Sequence, residues 1–280
     1  MTRTVVARID RDLVVASGPD ATSFLQSLLS QDLDPVAVGE AVHALLLEPR
    51  GKLVADLRAA RVHDDEWWLV CEPGVGAVLA AGLTRFRIRV KVDVDDRSAS
   101  VAALAVRGPD AHTFAADVDL VAAAADWPDD PGTELIGPPD AIEAAAAALT
   151  RSGAVEIGAD AYEARRIEAG TPRQGFDIDG STIAQEAYLD RDAVSFTKGC
   201  FLGQELVCRI DTRGHVNRML RRLRADVPMA RGAAVEVDGK AVGTVTSAAG
   251  TVALAMLRRE VEPASAVLAG GVTARVESLD

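Results

Sequence analysis

The chain has 280 residues, 49% hydrophobic and 26% charged, with a formal net charge of −12. That length calls for two or three packed units, and that charge disfavours non-specific binding to nucleic acid or an anionic membrane unless the basic residues gather on one face. Apolar runs too short for a bilayer, an N-terminus (Met1-Thr2-Arg3-Thr4-Val5) without signal-peptide form, and three cysteines (Cys71, Cys200, Cys208) without a CxxC pair argue against a membrane span, secretion and a disulfide or zinc framework.

The four histidines are scattered, so no metal site is read, and a reduced cytoplasm is the default. Two strand-like runs, Thr4–Ile9 and Leu13–Ala16, flank Asp10-Arg11-Asp12 and read as a hairpin. Gly18-Pro19-Asp20-Ala21 then leads into Phe24, Leu25, Leu28 and Leu29 at helical spacing. The same punctuation returns at Gly108-Pro109-Asp110-Ala111 and Gly137-Pro138-Pro139-Asp140-Ala141, where the aspartate is expected to cap a helix. Ala41–Leu47, Arg58–Val62 and Trp67–Cys71 read as a meander, followed by a helix over Gly74–Leu83. Arg85–Val92 alternates, with Phe86, Ile88, Val90 and Val92 opposite Arg85, Arg87, Arg89 and Lys91, as a strand with one basic face would. Val101–Val106 is a further strand. Beyond residue 220 come short strands at Leu223–Ala225, Ala234–Val237, Ala241–Thr246, Val252–Leu257 and Val272–Glu277, with Asp238-Gly239 placed for a tight turn. This tail reads as a small barrel or sandwich. The change of texture near Arg213–Arg218 separates residues 1–212 from residues 213–280.

The densest chemistry lies at Lys198-Gly199-Cys200-Phe201-Leu202-Gly203-Gln204-Glu205. A thiol beside a lysine and ahead of a helix-compatible run is placed for reactivity, because a cation and a helix N-terminus both favour thiolate. A buried cysteine in a tight loop is the other reading. The glycines let backbone approach a ligand or another segment. Cys208 reads as a small buried residue, too far along the chain for a redox pair with Cys200.

With Val194-Ser195-Phe196-Thr197 before it and Arg209 after it, this run resembles the signature of the YgfZ-type folate-binding proteins, relatives of the glycine-cleavage T-protein (aminomethyltransferase). Four further segments carry the resemblance in the family's order. They are Gly18-Pro19-Asp20-Ala21 with Phe24-Leu25-Gln26, Pro49-Arg50-Gly51-Lys52-Leu53-Val54-Ala55-Asp56, Arg166-Ile167-Glu168-Ala169-Gly170 with Pro172, and Gly239-Lys240-Ala241-Val242-Gly243-Thr244-Val245-Thr246-Ser247. The resemblance implies an α+β fold of two interleaved α/β subdomains plus a C-terminal β-barrel, arranged around a central cavity. It implies tetrahydrofolate as cofactor and support for the assembly or repair of iron–sulfur enzymes, including tRNA-modifying ones. Cys200 would be the reactive thiol toward client or assembly proteins, tuned by Lys198. Glu134 resembles the glutamate that holds the pterin, since a carboxylate accepts from two neighbouring N–H donors; a solvated loop acid is the other reading. Asp56 resembles the acid beside the reactive nitrogens of the folate, or is a surface aspartate on a strand edge. Arg166 and Glu168 line the same cavity or form an ion pair holding the subdomains together, and Gly199, Gly203, Gln204 and Glu205 belong to the cofactor-binding loop.

Two departures tell against plain aminomethyltransferase activity. Cys71-Glu72-Pro73 stands where T-proteins usually show Asn-Ala, and Cys200 stands where they tend to carry Asp. A folate-dependent aminomethyltransferase or demethylase remains the alternative. Arg209, Arg213, Arg218, Arg221, Arg222 and Arg224 lie beside the cysteine loop, opposed by Asp211. They are candidates for a folate polyglutamate tail or the phosphate backbone of tRNA. An RNA- or protein-binding module with a vestigial folate cavity is the second alternative; no aromatics interleave with these arginines, so base stacking is not indicated.

Overall fold

The computed structural model describes residues 3–116 and 118–279. β1 (Val5–Ile9) and β2 (Asp12–Ser17) are separated only by Asp10 and Arg11, yet they do not pair as the expected hairpin. One enters one sheet and the other enters a second. A two-residue hairpin needs left-handed backbone at its turn, and neither Asp10 nor Arg11 has a positive φ. Leu13 to Ala16 are also at most 1% exposed. A strand buried on both faces belongs inside a sheet, not on a ribbon.

α1 (Ala21–Leu28), β3 (Ala41–Leu47), β4 (Leu53–His63), β5 (Glu66–Cys71), α2 (Gly76–Thr84) and β6 (Asp93–Asp96) follow. With β2 they build an antiparallel sheet ordered β3-β4-β5-β2-β6, which contains the expected meander. β4 alternates: Ala55, Leu57 and Ala59 join Phe24, Leu25 and Leu28 of α1 and Leu79 and Leu83 of α2 in one core. Asp56 and Arg58, at the intervening positions, therefore face the opposite side. The strand expected over Arg85–Val92 is not formed. Residues 85–92 turn, with Arg89 at φ 58° and Ile88 73% exposed. β6 occupies the sheet edge instead, and an alternating sequence without a partner edge leaves its backbone groups to water. Arg85, Arg87, Arg89 and Lys91 thus share no strand face. The expected aspartate cap also differs, because the Asp20 carboxylate accepts the Lys91 backbone N–H at 2.7 Å instead of capping α1.

β7 (Ala102–Arg107), α3 (Ala111–Ala116), β8 (Val121–Ala124), β9 (Gly132–Gly137), α4 (Pro139–Arg151) and β10 (Val155–Glu156) join β1 in the other sheet, ordered β10-β1-β7-β9-β8. Its first strand precedes the whole of its neighbour and the rest follow it, so the two subdomains interleave. α3 and α4 cover its outer face over Val6, Leu104, Val106 and Leu135. The inner faces of the sheets meet over Leu13, Val15, Val70, Ala103, Ala123 and Ile136. Beyond that seam the β1 sheet presents Ala7 and Ala105, side chains small enough to leave open space between the layers.

α5 (Ala159–Ala169) packs on β1 and on the C-terminal barrel. After α6 (Gln204–Arg213) the barrel closes from β11 (Arg218–Ala225), β12 (Ala234–Val237), β13 (Lys240–Ala249), β14 (Val252–Arg258), β15 (Ala266–Ala269) and β16 (Val272–Glu277). The texture indicated five strands; the four-residue β15 is the sixth. Asp238 and Gly239 have φ of 50° and 72°, the left-handed pair that the β12–β13 hairpin requires. No helix among the described residues is long and apolar enough to cross a membrane.

Arg166 ties α5 to the barrel. Its guanidinium donates to Glu163, to Asp177 at 2.8 Å and to Ser247 Oγ at 2.8 Å, while Thr246 Oγ1 donates to the other Asp177 oxygen. The Asp177 side chain is fully buried. Arg166→Ala leaves that carboxylate unpaired and should cost about 3–5 kcal/mol in urea unfolding. Arg8→Ala, which breaks exposed pairs with Glu143 and Glu156, should cost no more than about 1 kcal/mol. Equal losses would contradict this assignment.

Candidate functional site

A cavity of about 620 Å³ lies between the inner faces of the two sheets, bounded also by α5 and residues 187–192. Its size falls among small-ligand sites, roughly 300–1,000 Å³. Arg11 occupies its floor, at the point where the chain passes from one sheet to the other. The guanidinium grips Glu134 with two bonds, Nε to Oε2 at 2.9 Å and Nη2 to Oε1 at 2.6 Å. Nη1 lies 3.1 Å from Glu72, which also accepts from Arg173 Nε at 2.9 Å. Glu134 is on β9, so it is a buried strand residue and not a loop acid; its cross-strand neighbour Ala105 is a small residue. Burial pushes the Glu134 carboxyl up, but Arg11, Arg107 and Arg58 outweigh it and hold the group below the usual range. Glu72 goes the other way, with burial prevailing over Arg11 and Arg173.

On the facing sheet the β3–β4 register pairs His43 with Arg58 and Leu45 with Asp56, which puts His43 diagonally across from Asp56 on the cavity face. His43 Nε2 is 2.5 Å from Asp56 Oδ1, and Nδ1 is 2.9 Å from Asp192 Oδ2. Gln174 holds the strand there, accepting the Asp56 backbone N–H at 2.8 Å and donating to the Val54 carbonyl at 2.9 Å. Asp56 is thus no exposed edge residue. Burial raises its carboxyl and His43 and Arg58 lower it, with a net shift downward.

Trp127 and Tyr162 supply an aromatic wall, their ring centroids 5.1 Å apart. Behind it the fully buried Arg107 lies 3.4 Å over the Trp127 ring and donates Nη1 to the Ala125 carbonyl at 2.5 Å. Among the described residues, Arg107 Nε and Nη2 and the Tyr162 hydroxyl are buried without a well-formed hydrogen bond. The Arg58 side chain lines the cavity without a hydrogen bond or ion pair among the described residues, and its charge acts on Asp56 and Glu134.

The expected site residues divide among three places. Asp56, Glu134 and Arg166 line the cavity. Glu168 does not; it pairs with Arg224 of the barrel at 2.6 Å, and its carbonyl accepts from Arg222, so it is not the partner of Arg166. Cys200 is exposed, and Gly199, Gly203, Gln204 and Glu205 lie with it outside the cavity lining. Cys208 is half-buried, less enclosed than expected. Lys198 turns toward α1, where Nζ donates to the carbonyls of Gln26, Leu29 and Gln31 at 2.8, 2.8 and 2.7 Å. Its ammonium therefore holds the end of that helix. Gly203, at φ 80°, meets the Pro49-Arg50-Gly51 turn so closely that a Cβ would come within 2.5 Å of the Glu48 carbonyl oxygen. The basic group is largely spent at the domain junction: Arg218 on Glu186, Arg221 on Tyr188, Arg222 on Glu277, Arg224 on Glu277 and Glu168. Arg209 and Arg213 are left exposed on α6.

Arg11, Glu72, His43, Arg58, Tyr162 and Asp192 escaped the sequence reading. For Arg58 a signal existed, since the alternation through Leu53–Ala59 puts it on the face of Asp56. His43 and Asp192 are 149 positions apart, and no local pattern joins them.

Arg11→Met tests the floor. In the wild type the depressed Glu134 contributes stability above its unfolded value, about 4.3, and loses it as pH falls through the folded value. Without Arg11, burial would raise both carboxyls above their unfolded values, so their contribution would instead be lost as pH rises. Urea unfolding should show a loss of about 3–5 kcal/mol at pH 7 and a smaller one at pH 4.5. A loss independent of pH would contradict the assignment.

The model of the GCVT N-terminal domain matches residues 11–127, and that of the CAF17 C-terminal β-barrel domain matches residues 218–280. The iron-sulfur cluster assembly factor IBA57, mitochondrial, of Homo sapiens is 31% identical over 275 residues, 90% of this chain and 77% of its own. An aminomethyltransferase of Herpetosiphon aurantiacus is 27% identical over 254 residues, 82% and 70% of the two chains. The crystal structure of glycine cleavage system aminomethyltransferase T from Bartonella henselae superposes with a TM-score of 0.83 at 22% identity, covering 99% of this chain and 86% of that one, a likeness of fold. Two interleaved sheets, a closed barrel and near full-length relatedness place the chain in the GCVT aminomethyltransferase superfamily, in the branch with a CAF17-type barrel.

Proposed function

We propose that this is a cytoplasmic, tetrahydrofolate-binding protein that maintains iron–sulfur enzymes, tRNA-modifying ones among them. The observation that carries the reading is a buried Glu134, held by two bonds from Arg11, at the floor of a ligand-sized cavity. Arg11 takes one lone pair on each Glu134 oxygen, and a carboxylate has about four acceptor sites, so two N–H donors of a pterin still find partners. The Trp127 ring and the Tyr162 hydroxyl, which lies beside Arg107, suit a flat ligand with polar edges, and Arg58 is available to its carboxylate. Bound tetrahydrofolate supplies nitrogens that carry one-carbon units; Asp56 sits on the wall that would face them. The iron–sulfur part of the reading rests on the likeness to the assembly factor and on the exposed Cys200. Cys200 lies outside the cavity, so we assign it to a protein client and not to the folate.

Asp56 and the aminomethyltransferase relatives favour a second reading, one-carbon transfer to or from an amine. A nucleic-acid surface is narrowed to Arg209 and Arg213, since the other arginines of that group are paired at the barrel junction.

Anaerobic calorimetry with tetrahydrofolate separates these parts. Glu134→Ala should weaken binding about 10- to 100-fold, the loss of a charge-assisted contact, and Cys200→Ala should leave it unchanged. In cells, Cys200→Ala should lower iron–sulfur enzyme activity. Turnover of an aminomethyl or N-methyl substrate that is lost in Asp56→Ala and kept in Cys200→Ala would favour the second reading. Absence of binding by the wild type would overturn the folate premise.

A further inference from the structure

His43 joins two carboxylates of different exposure. Asp56 faces the cavity with 18% of its side chain exposed, His43 has 11%, and Asp192 has 60%. The three come from β3, β4 and the segment after residue 187, and all line the same cavity. Asp192 accepts at Nδ1 and thereby holds the ring with Nε2 directed at Asp56. A histidine oriented by one carboxylate can exchange a proton at its other nitrogen.

We propose that His43 is the proton-holding partner of Asp56, positioned by Asp192, and that the ligand of this cavity is one whose basic nitrogen exchanges a proton with the Asp56 carboxylate. This rests on the folate reading and specifies its chemistry. In the forward step the Nε2 proton of the His43 imidazolium passes to Asp56 Oδ1, and the carboxyl passes a proton to the lone pair of the ligand nitrogen. Asp56 ends as carboxylate, His43 as neutral imidazole with Nδ1–H on Asp192, and the nitrogen as its protonated form; the reverse step removes the proton. Charge and protons balance without a further reactant. The charged groups facing His43 are Asp56 and Arg58 from β4 and Asp192 from the opposite segment. Burial and Arg58 oppose the imidazolium, while the two carboxylates favour it and raise His43 above the ordinary histidine value.

Two measurements on the intact chain test this. In a histidine-ring NMR titration of the ligand-free protein, His43 should titrate above the ordinary range, and Asp192→Asn should shift its midpoint down. Because its folded value is raised, the stability His43 contributes is complete below the unfolded value of about 6.5 and is lost as pH rises through the folded one. Asp192→Asn should narrow that loss. Calorimetry of tetrahydrofolate in buffers of different ionisation enthalpy, at a pH below the His43 midpoint, should show no net proton exchange in the wild type, where His43 supplies the proton, and proton uptake in His43→Gln, where the proton must come from solvent. A His43 titration unmoved by Asp192→Asn, or equal proton exchange in the wild type and His43→Gln, would overturn the triad. No heat with the wild type in any buffer would overturn the folate reading, a result the NMR titration distinguishes from failure of the triad.

Discussion

Arg11 is the constraint on which the rest of the molecule depends. Two residues separate strands that belong to different sheets, and one of the two carries a cation into the space between them. That cation is charge-paired with Glu134 of one sheet and Glu72 at the end of a strand of the other. Burying an arginine and two carboxylates is costly unless each is paired. The network therefore fixes the separation of the layers while keeping polar groups at the floor of the gap. Alanines at Ala7 and Ala105 leave the gap open, and the apolar seam from Leu13 to Ile136 closes it on one side.

The segments that carry the family resemblance are the seams of the structure. Lys198 of the cysteine loop grips Gln26 of the first strand–helix junction, and Gly203 abuts the Gly51 turn. Arg166 reaches Ser247 in the barrel. Each contact joins residues far apart in the chain, and each demands a particular residue: a cation at a helix C-terminus, a glycine at close backbone approach, a guanidinium over a buried carboxylate. Part of what reads as a cofactor-binding signature is therefore a record of how three bodies are held together. Cys200 stands exposed beside these anchors, so the loop can present it on rigid support.

The elements were legible where local physics decides them. The strands of the β3–β5 meander, the apolar spacing of α1 and the Asp238-Gly239 turn are all short-range signals, and the structure keeps them. Topology was not: an apolar run beside a charged pair reads as a hairpin until both of its faces are known to be buried. The alternation of Arg85–Val92 misled for the same reason, since a strand exists only if a neighbouring edge is free. At the site, Glu134 and Asp56 were reachable by resemblance alone, because isolated acids carry no pattern. Arg11 hid in a linker that looked like a turn, and the His43–Asp192 pair depends on a contact that only the tertiary fold makes.

A cavity with an arginine-paired carboxylate at its floor, an aromatic wall and an acid on the facing sheet is the centre of this account. Its most direct test is a crystal structure grown anaerobically with tetrahydrofolate. The account predicts the pterin edge against Glu134, the ring beside Trp127 and Tyr162, and the reactive nitrogens toward Asp56. Density for the ligand at the Cys200 loop, or with the pterin turned away from Glu134, would contradict it.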